Sequence, residues 1–591
     1  MSEAYLTKAS LIALLRQLSA LHTYHGENPF KIKAYDNAAR ALAADTHSVA
    51  DLVKPGGLES VKGIGKGIAA ILREAINTGT SPMLIEMSAN TPRDLAELLD
   101  IPKLGVVKIK KLHEQFQIQS VDDLVKLCES GDLGTCPGFT KQSSEKILAA
   151  IAQAKNSAGK MLLHQGLALG DAVLEFLVKS EHVIEASVAG SARRQREVIN
   201  DLDFVAASNE AAKVMDYFCK SPLVESIIGK GPTKSSVLLT GGTQADLRVV
   251  TPEQYPATLH HFTGSKEHNT LLRSRALTMG LSLNEYGFSQ AKADKKVDVP
   301  VIKSETDLYQ ALGLAYVPPE LREGLREVEW AAENSLPTLV EESDYRGPLH
   351  CHSTWSDGLG TIADMAEGCR ERGWEYIAIT DHSQLAAYAG GLKPAQLLEQ
   401  QAEIDEANAG LKSFKIFKGC ECDILADGRL DYSDDILETM DLVVASVHSR
   451  FNRSRAEQTA RIVQAIHHPL VTILGHPTGR LLLSREPYDL DMDAVLEAAA
   501  QSGTVIEINA DPRRLDLDWR YVQQAATMGI RFSINPDAHS VKGLDNVRYG
   551  IAMARKAGLE KEQIINCLSE KELTKFLVEI KKQKRAKSTP S

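Results

Sequence analysis

The chain has 591 residues, of which 43% are hydrophobic and 25% charged, with a net charge of -11. That length exceeds a single hydrophobic core and predicts several domains. No apolar run is long enough to span a bilayer, no secretory signal opens the chain, and the acidic balance excludes a uniformly basic nucleic-acid surface. The cysteines are scattered, with Cys420 and Cys422 forming only a Cys-x-Cys, which fits a reducing, cytoplasmic and nucleoid-associated setting rather than a disulfide framework.

Residues 1–85 read as a small helical domain, with Leu11, Leu14, Leu15 and Leu18 at helical spacing. Its Val61-Lys62-Gly63-Ile64-Gly65-Lys66-Gly67 stretch, set between helical runs, looks like a helix-hairpin-helix. Gly63, Gly65, Lys66 and Gly67 would meet a DNA backbone there without reading sequence. A second helical DNA-binding domain is expected over 86–155. It carries similar hairpins at Ile101 to Lys108, including Gly105, and at Cys136 to Lys141. Repeated phosphate-clamping hairpins fit a protein that holds gapped or nicked duplex.

Residues 156–252 carry the most informative stretch. Gly190 and Ser191 form a turn, Arg193, Arg194 and Arg196 follow, and then come Asp201 and Asp203. At i and i+2 in a strand, two carboxylates share one face. Asp246, in Gln244-Ala245-Asp246-Leu247-Arg248, is a third candidate on a second strand-like run. Three carboxylates on neighbouring strands can hold two hard cations, Mg²⁺ or Mn²⁺, and such pairs serve phosphoryl transfer. The Gly-Ser turn and Arg194 would receive a triphosphate. An Asp-x-Asp alone is common on solvated strand edges; the company of the turn, the arginines and Asp246 makes that reading improbable.

This combination resembles the nucleotidyltransferase palm of family X DNA polymerases, the group that includes polymerase beta. The resemblance continues over 253–317, a nucleotide-selecting subdomain in that family. Phe262, Gly264, Ser265, Asn269 and Arg273 match a segment that lines the incoming nucleotide, with Arg273 assigned to DNA. His261 stands where the family has a tyrosine that crowds the sugar 2′ position. Lys230 and Lys234 match a segment that meets DNA phosphates. In the N-terminal domain the resemblance makes Lys31 and Tyr35 contacts for a 5′-phosphate. It also places Ile71 where polymerase beta has its lyase lysine, so no Schiff base can form at that position.

A Pro- and Glu-rich stretch, 318–345, reads as a linker with a short helix. Beyond it, 346–575 alternates strand-like and helical runs. Seven short strands end on or near polar residues, which predicts parallel strands in a βα barrel with a site at their C-terminal ends. His350, His352, Asp357, His382, Glu421, His448, His476, Asp537 and His539 would meet there. Burying so many imidazoles and carboxylates without metal would be costly. The mixed ligands suit two or three Mn²⁺, Zn²⁺ or Fe ions, with Glu421 as the bridge. Arg450, Arg453, Arg480 and Arg513 are candidate phosphate contacts. The set resembles the PHP phosphoesterases. A basic, disordered tail is expected over 576–591.

The expected fold is therefore multidomain: a helical helix-hairpin-helix region, an α+β palm and a C-terminal distorted (β/α)7 PHP barrel. The resemblance implies a DNA-directed DNA polymerase that fills short gaps in repair. Asp201, Asp203 and Asp246 would be its catalytic carboxylates and dNTPs its substrates. The barrel would be a metal-dependent 3′–5′ exonuclease centred on Glu421. The protein would act as a monomer without a membrane partner. Three other readings are weighed: a template-independent nucleotide adder, a barrel acting as a small-molecule phosphatase, and a non-enzymatic DNA-end scaffold.

Overall fold

The structure is a computed structural model that describes residues 8–44, 49–54, 56–61, 63–79, 81–99, 101, 104–157, 159–291 and 297–588. It divides into two units, Met1–Ala158 and Gly159–Ser591. Among the described residues, no helix is long and apolar enough to cross a membrane. All eight cysteines are free.

The first unit is helical. Leu11, Leu14, Leu15 and Leu18 are buried as their spacing predicts, and they pack with Ala38, Leu42, Ala69 and Leu72. A second cluster gathers Leu98, Ile109, Leu112, Leu124 and Ile151. The helices Lys66–Thr78, Val106–Phe116 and Lys141–Ser157 follow the three expected hairpin segments, of which residues 62, 102 and 103 lie outside the described residues. Gly65 and Gly105 cap the first two helices with almost the same geometry, φ -79° and ψ 165° against φ -75° and ψ 164°.

In the second unit a five-stranded sheet runs in the order β1 (Glu185–Val188), β2 (Asp201–Ala207), β5 (Thr243–Val250), β4 (Lys234–Leu239), β3 (Val224–Lys230). Only the β2–β5 pair is parallel. The strand alternation separates two faces. Leu202, Phe204 and Ala206 join Leu247, Val249, Val214 and Met215 on one side. Val205, Ala207 and Val250 pack with Tyr255 and Leu259 on the other, so Asp201 and Asp203 project on that second side.

The C-terminal sheet has six parallel strands in sequential order: β6 (Tyr376–Ile379), β7 (Lys415–Asp423), β8 (Leu442–Ser446), β9 (Ile473–Leu474), β10 (Val505–Asn509) and β11 (Phe532–Asn535). The expected seventh strand, at residues 347–352, is reduced to a single bridge between Cys351 and Ala538. The reason is local. Pro348 has no N–H to donate, and the N–H groups of Leu349 and Cys351 bond to the Asn535 and Thr380 side chains at 3.0 Å rather than to a ladder. The segment still spans the opening, because Pro348 and Cys351 carbonyls accept from Ala378 and Thr380 on one side and His352 N–H donates to Ala538 on the other.

The stretch 318–345 contains a short helix, Glu327–Glu333, and is packed: Leu321, Arg322, Ala331, Val340 and Tyr345 are all buried. One sequence expectation is corrected. The tail is a helix, Glu570–Ser588, not a disordered segment; only residues 589–591 of it lie outside the described residues. Leu573, Leu577, Ile580 and Lys584 recur at helical spacing and are buried against the sheet. Lys584 donates to the Ile466 and Val471 carbonyls and to Thr504 at 2.9, 2.6 and 2.6 Å. Composition made this segment look solvated, but Lys584 turns inward onto backbone carbonyls.

Candidate active sites

At the first site Asp203 lies directly across from Asp246 in the β2–β5 register, with Asp201 two residues away on the same face. Burial, then the neighbouring Asp201 and Asp246, pushes the Asp203 carboxyl up to about 6. Crowded carboxylates of this kind call for a cation. Lys234, expected to meet DNA, instead places its ammonium 2.6 Å from Asp246. It stands in for positive charge that a divalent ion would supply. Burial acts upward on Asp246 too, but hydrogen bonds from Lys234, Gln244 and Ser236 outweigh it and hold that carboxyl below its usual range. Lys230, the other expected phosphate contact, is paired with Asp216.

The turn before these carboxylates is fitted to them. Gly190 has φ +60°, and a Cβ there would collide with the Asp203 carboxylate, so only glycine is tolerated. Residues Gly190–Arg193 form one helical turn that carries Ser191 beside the site. Arg194 donates from Nε to Glu323 at 3.2 Å and from Nη1 to the Thr263 carbonyl. Gly264, at φ +71°, leaves room for that guanidinium; a Cβ would stand 3.0 Å from it. Ser265 caps the helix Lys266–Thr278 by accepting from His268 N–H at 3.1 Å. Asn269 donates to the His261 carbonyl at 2.8 Å, while its Oδ1 is buried without a partner. Arg273 reaches His261 Nδ1 at 3.1 Å, and Arg248 lies 4.6 Å over the Phe262 ring. The structure thus brings the two sequence segments, 190–203 and 261–273, to one place.

In the helical unit Gly63, Gly65, Lys66, Gly67 and Gly105 are exposed. A Cβ at Gly65, Gly67 or Gly105 would meet nothing within 4 Å. Gly65 and Gly105 also have ordinary negative φ. No internal packing calls for glycine at these positions, whereas close approach of an external backbone would. Lys31 is half exposed and lies 3.6 Å from Glu27. Tyr35 is only 4% exposed, and its ring stacks on His22 at 4.8 Å. Ile71 is half-buried on the helix Lys66–Thr78.

At the second site all nine expected residues converge at the C-terminal ends of the parallel strands. Three groups could hold ions: His352, Asp357, His382 and His539; His350, His352 and Asp537; and His382, Glu421 and His448. His476 completes the ring with Nε2 at 2.8 Å from Glu421. Glu421 lies centrally, within 2.9 to 3.6 Å of His350, His352, His382 and His448 as well. Several of these nitrogens, namely His350 Nε2, both of His352, and His382 Nδ1, are buried with no hydrogen-bond partner. Burial first, then His382 and His539, depresses His352 to about 3, so its imidazole is neutral with a lone pair free. Burial acts the same way on His448, but Glu421 and Asp423 override it and raise that group to about 10. Unpaired buried lone pairs beside surplus carboxylates are the donor set that a cluster of cations would satisfy.

Two further carboxylates belong here that the sequence reading passed over. Glu507 is fully buried and meets His350 Nδ1 at 2.7 Å, which orients the ring toward the cluster. Asp423 is 3.3 Å from His448 Nδ1, and both its oxygens lack a hydrogen-bond partner. Both sit in strand-end runs, and Asp423 repeats the i, i+2 signal after Glu421. Of the four arginines named for phosphate, Arg453, Arg480 and Arg513 are paired with Glu457, Asp518 and Asp511; Arg450 is exposed.

Comparison with known proteins agrees with this geometry. Residues 7–81 match a helix-hairpin-helix domain and 95–153 a SAM-like helix-hairpin-helix tandem. Residues 258–323 match the DNA polymerase beta thumb and 348–511 the PHP domain. The DNA polymerase/3′–5′ exonuclease PolX of Bacillus subtilis (strain 168) is 39% identical over 572 residues, covering 96% of this chain and 99% of that one. The chain belongs to the PHP-containing family X polymerases. Within this family frame, the barrel alone is also similar to a probable phosphatase of Syntrophotalea carbinolica, 29% identical over 39% of this chain and 93% of that protein. A probable phosphatase of Vibrio parahaemolyticus is 28% identical over a similar 39% of the chain and 92% of its own length.

Proposed function

We infer that the chain is a family X DNA polymerase with a second, PHP-type centre that acts as a 3′–5′ exonuclease. The observation that carries this is one chain that holds both the three carboxylates on the paired strands β2 and β5 and the barrel's His/Asp/Glu groups, aligned over almost its full length with a relative of that double name. We read the natural substrate of the first site as dNTPs on gapped or nicked duplex. Arg194 and the Gly190–Ser191 turn receive the triphosphate, and Phe262, Gly264, Ser265 and Asn269 line the nucleotide. Asp201, Asp203 and Asp246 would hold Mg²⁺ or Mn²⁺, which activates the primer 3′-hydroxyl and neutralises the triphosphate. Asp246 would accept the hydroxyl proton once Lys234 releases it. The hairpins carrying Gly63, Gly65, Lys66, Gly67 and Gly105, with Lys31 and Arg273, grip the duplex.

At the barrel, His350, His352, Asp357, His382, Glu421, His448, His476, Asp537 and His539 would hold two or three Mn²⁺, Zn²⁺ or Fe ions, which activate water and polarise a phosphodiester. Glu507 holds His350 in orientation. The similarity to probable phosphatases favours one second reading, a barrel that takes phosphomonoesters. One experiment separates these. The full chain is incubated with Mn²⁺ and a labelled primer in a 5′-phosphorylated one-nucleotide gap, with and without dNTPs, beside a phosphomonoester. Templated extension with dNTPs and shortening without them support the polymerase–exonuclease. Untemplated addition points to a nucleotide adder, and phosphomonoester turnover in preference to DNA points to a phosphatase.

His261 makes a further expectation concrete. Its ring is half-buried beside Phe262 and tied to Arg273, and it is smaller than a tyrosine ring. His261→Tyr is expected to lower ribonucleotide relative to deoxyribonucleotide incorporation by about tenfold, the range of one steric contact in a pocket. The ratio of kcat/KM for the two nucleotide types measures it; an unchanged ratio would remove His261 from sugar selection.

A further inference from the structure

The helix Val547–Lys556 of the C-terminal domain ends inside the wall of the polymerase site. The Lys556 side chain is fully buried. Its ammonium donates to the Arg194 carbonyl at 3.0 Å, to the Glu320 carbonyl at 3.3 Å, and to the Glu323 carboxylate. Glu323 in turn accepts from Arg194 Nε at 3.2 Å and from Arg196 Nη1 at 3.1 Å. One carboxylate therefore gathers three cations, two from the loop that follows Gly190 and one from the barrel. Arg555 Nε bonds Glu320 at 2.8 Å, and Arg520 Nη1 reaches the buried Glu197 at 3.3 Å, so the segment that carries Glu323 and the loop that carries Arg194 are each held from the barrel side.

We propose that Lys556 is a positioning residue of the polymerase site: the C-terminal domain sets the Arg194 guanidinium for nucleotide binding through the Lys556–Glu323 pair. The physical basis is the number of restraints on one side chain. Glu323 takes Nε of Arg194 and the Thr263 carbonyl takes Nη1, which leaves Nη2 to meet a phosphate. Lys556 restrains both ends of this arrangement, the Arg194 backbone through its carbonyl and the Arg194 side chain through Glu323. Arg196 takes Oε2 of Glu323, whereas Lys556 and Arg194 share Oε1, so Lys556 holds the very oxygen that directs Arg194. Replacing Lys556 by a neutral chain leaves the Arg194 carbonyl and Glu323 short of a donor, and the guanidinium loses its fixed direction. The proposal rests on the reading of Arg194 as a triphosphate contact.

The test uses the full chain with Lys556→Met, Glu323→Gln, Arg194→Ala and the Lys556→Met/Arg194→Ala pair. Primer extension gives kcat and KM for a dNTP, and shortening of a single-stranded oligonucleotide without dNTPs reports the barrel. Lys556→Met is expected to raise the dNTP KM about tenfold, the effect of one charge-assisted hydrogen bond, with kcat little changed and nuclease intact. Added to Arg194→Ala it should cost nothing further, because both act through one contact. An unchanged KM, or a fully additive double variant, overturns the proposal. If Lys556→Met loses its nuclease too, Glu323→Gln decides by the same KM criterion, since it preserves shape. If Arg194→Ala itself leaves the dNTP KM unchanged, the assignment of Arg194 fails, and the proposal with it.

Discussion

Replacing Asp201 and Asp203 together by alanine is expected to abolish primer extension, a loss on the order of 10⁴-fold or more, typical of removing a unit of catalytic groups. The 3′-end shortening of a primer in the same preparation should persist. The geometry explains the size. Asp203, Asp201 and Asp246 share one face of two adjacent strands, and no other carboxylate is placed to replace them in that register. The same crowding predicts that the loss is not one of folding. Asp203 is held up to about 6 by burial and by its acidic neighbours, so at neutral pH its charge opposes the ion-free fold. The sign follows from that raised value. The group favours the native state at low pH and ceases to do so as pH rises through about 6, so alanine should leave Tm at pH 7.5 unchanged or higher. Normal extension by the double variant would remove the polymerase assignment altogether. A large fall in Tm would mean that the carboxylates are structural.

The second large effect belongs to the barrel. His350→Ala with His352→Ala is expected to cut exonuclease activity by roughly 10³-fold or more while primer extension with dNTPs survives. His352 contributes to two of the three candidate groups and His350 to one, so the pair weakens more than one ion position at once. Metal analysis of the purified protein should show at least one ion fewer per chain than wild type. Both rings are fully buried, and Glu507 would lose its His350 partner, so some loss of Tm is also expected. Glu421→Gln separates the two effects. It preserves volume at the centre of the cluster and should lose nuclease; any fall in Tm then reports the lost charge pairing with His350, His382 and His448 rather than a cavity. Retention of exonuclease in both variants would place that reaction elsewhere in the chain.

The main sites were legible because their signals are local. Asp201 and Asp203 share a face by the period of a strand, and the barrel ligands recur at strand ends whatever the exact curvature of the sheet. Gly190 was legible as a turn, although the reason for it, the adjacent Asp203 carboxylate, was not. Burial was harder to read. Tyr35 sits in a helix beside lysines and looks available, yet it packs on His22. The C-terminal lysines look solvated, yet Lys584 is enclosed by the Ile466 and Val471 carbonyls and the Thr504 hydroxyl. A side chain's exposure depends on which distant surface covers it, and composition carries no record of that.

By itself, then, the sequence determined the order of the helical, polymerase and PHP regions and which carboxylates and histidines share a face or a strand end, since strand period and helix spacing act over a few residues. Tertiary structure alone decided the rest. It paired Lys234 with Asp246, reduced the seventh barrel strand to a bridge beside Pro348, and brought Lys556 to the carbonyl of Arg194, 362 positions away. Such contacts arise from how separately formed faces bury against one another, and that packing is set by shape and charge over the whole unit rather than by any stretch of chain.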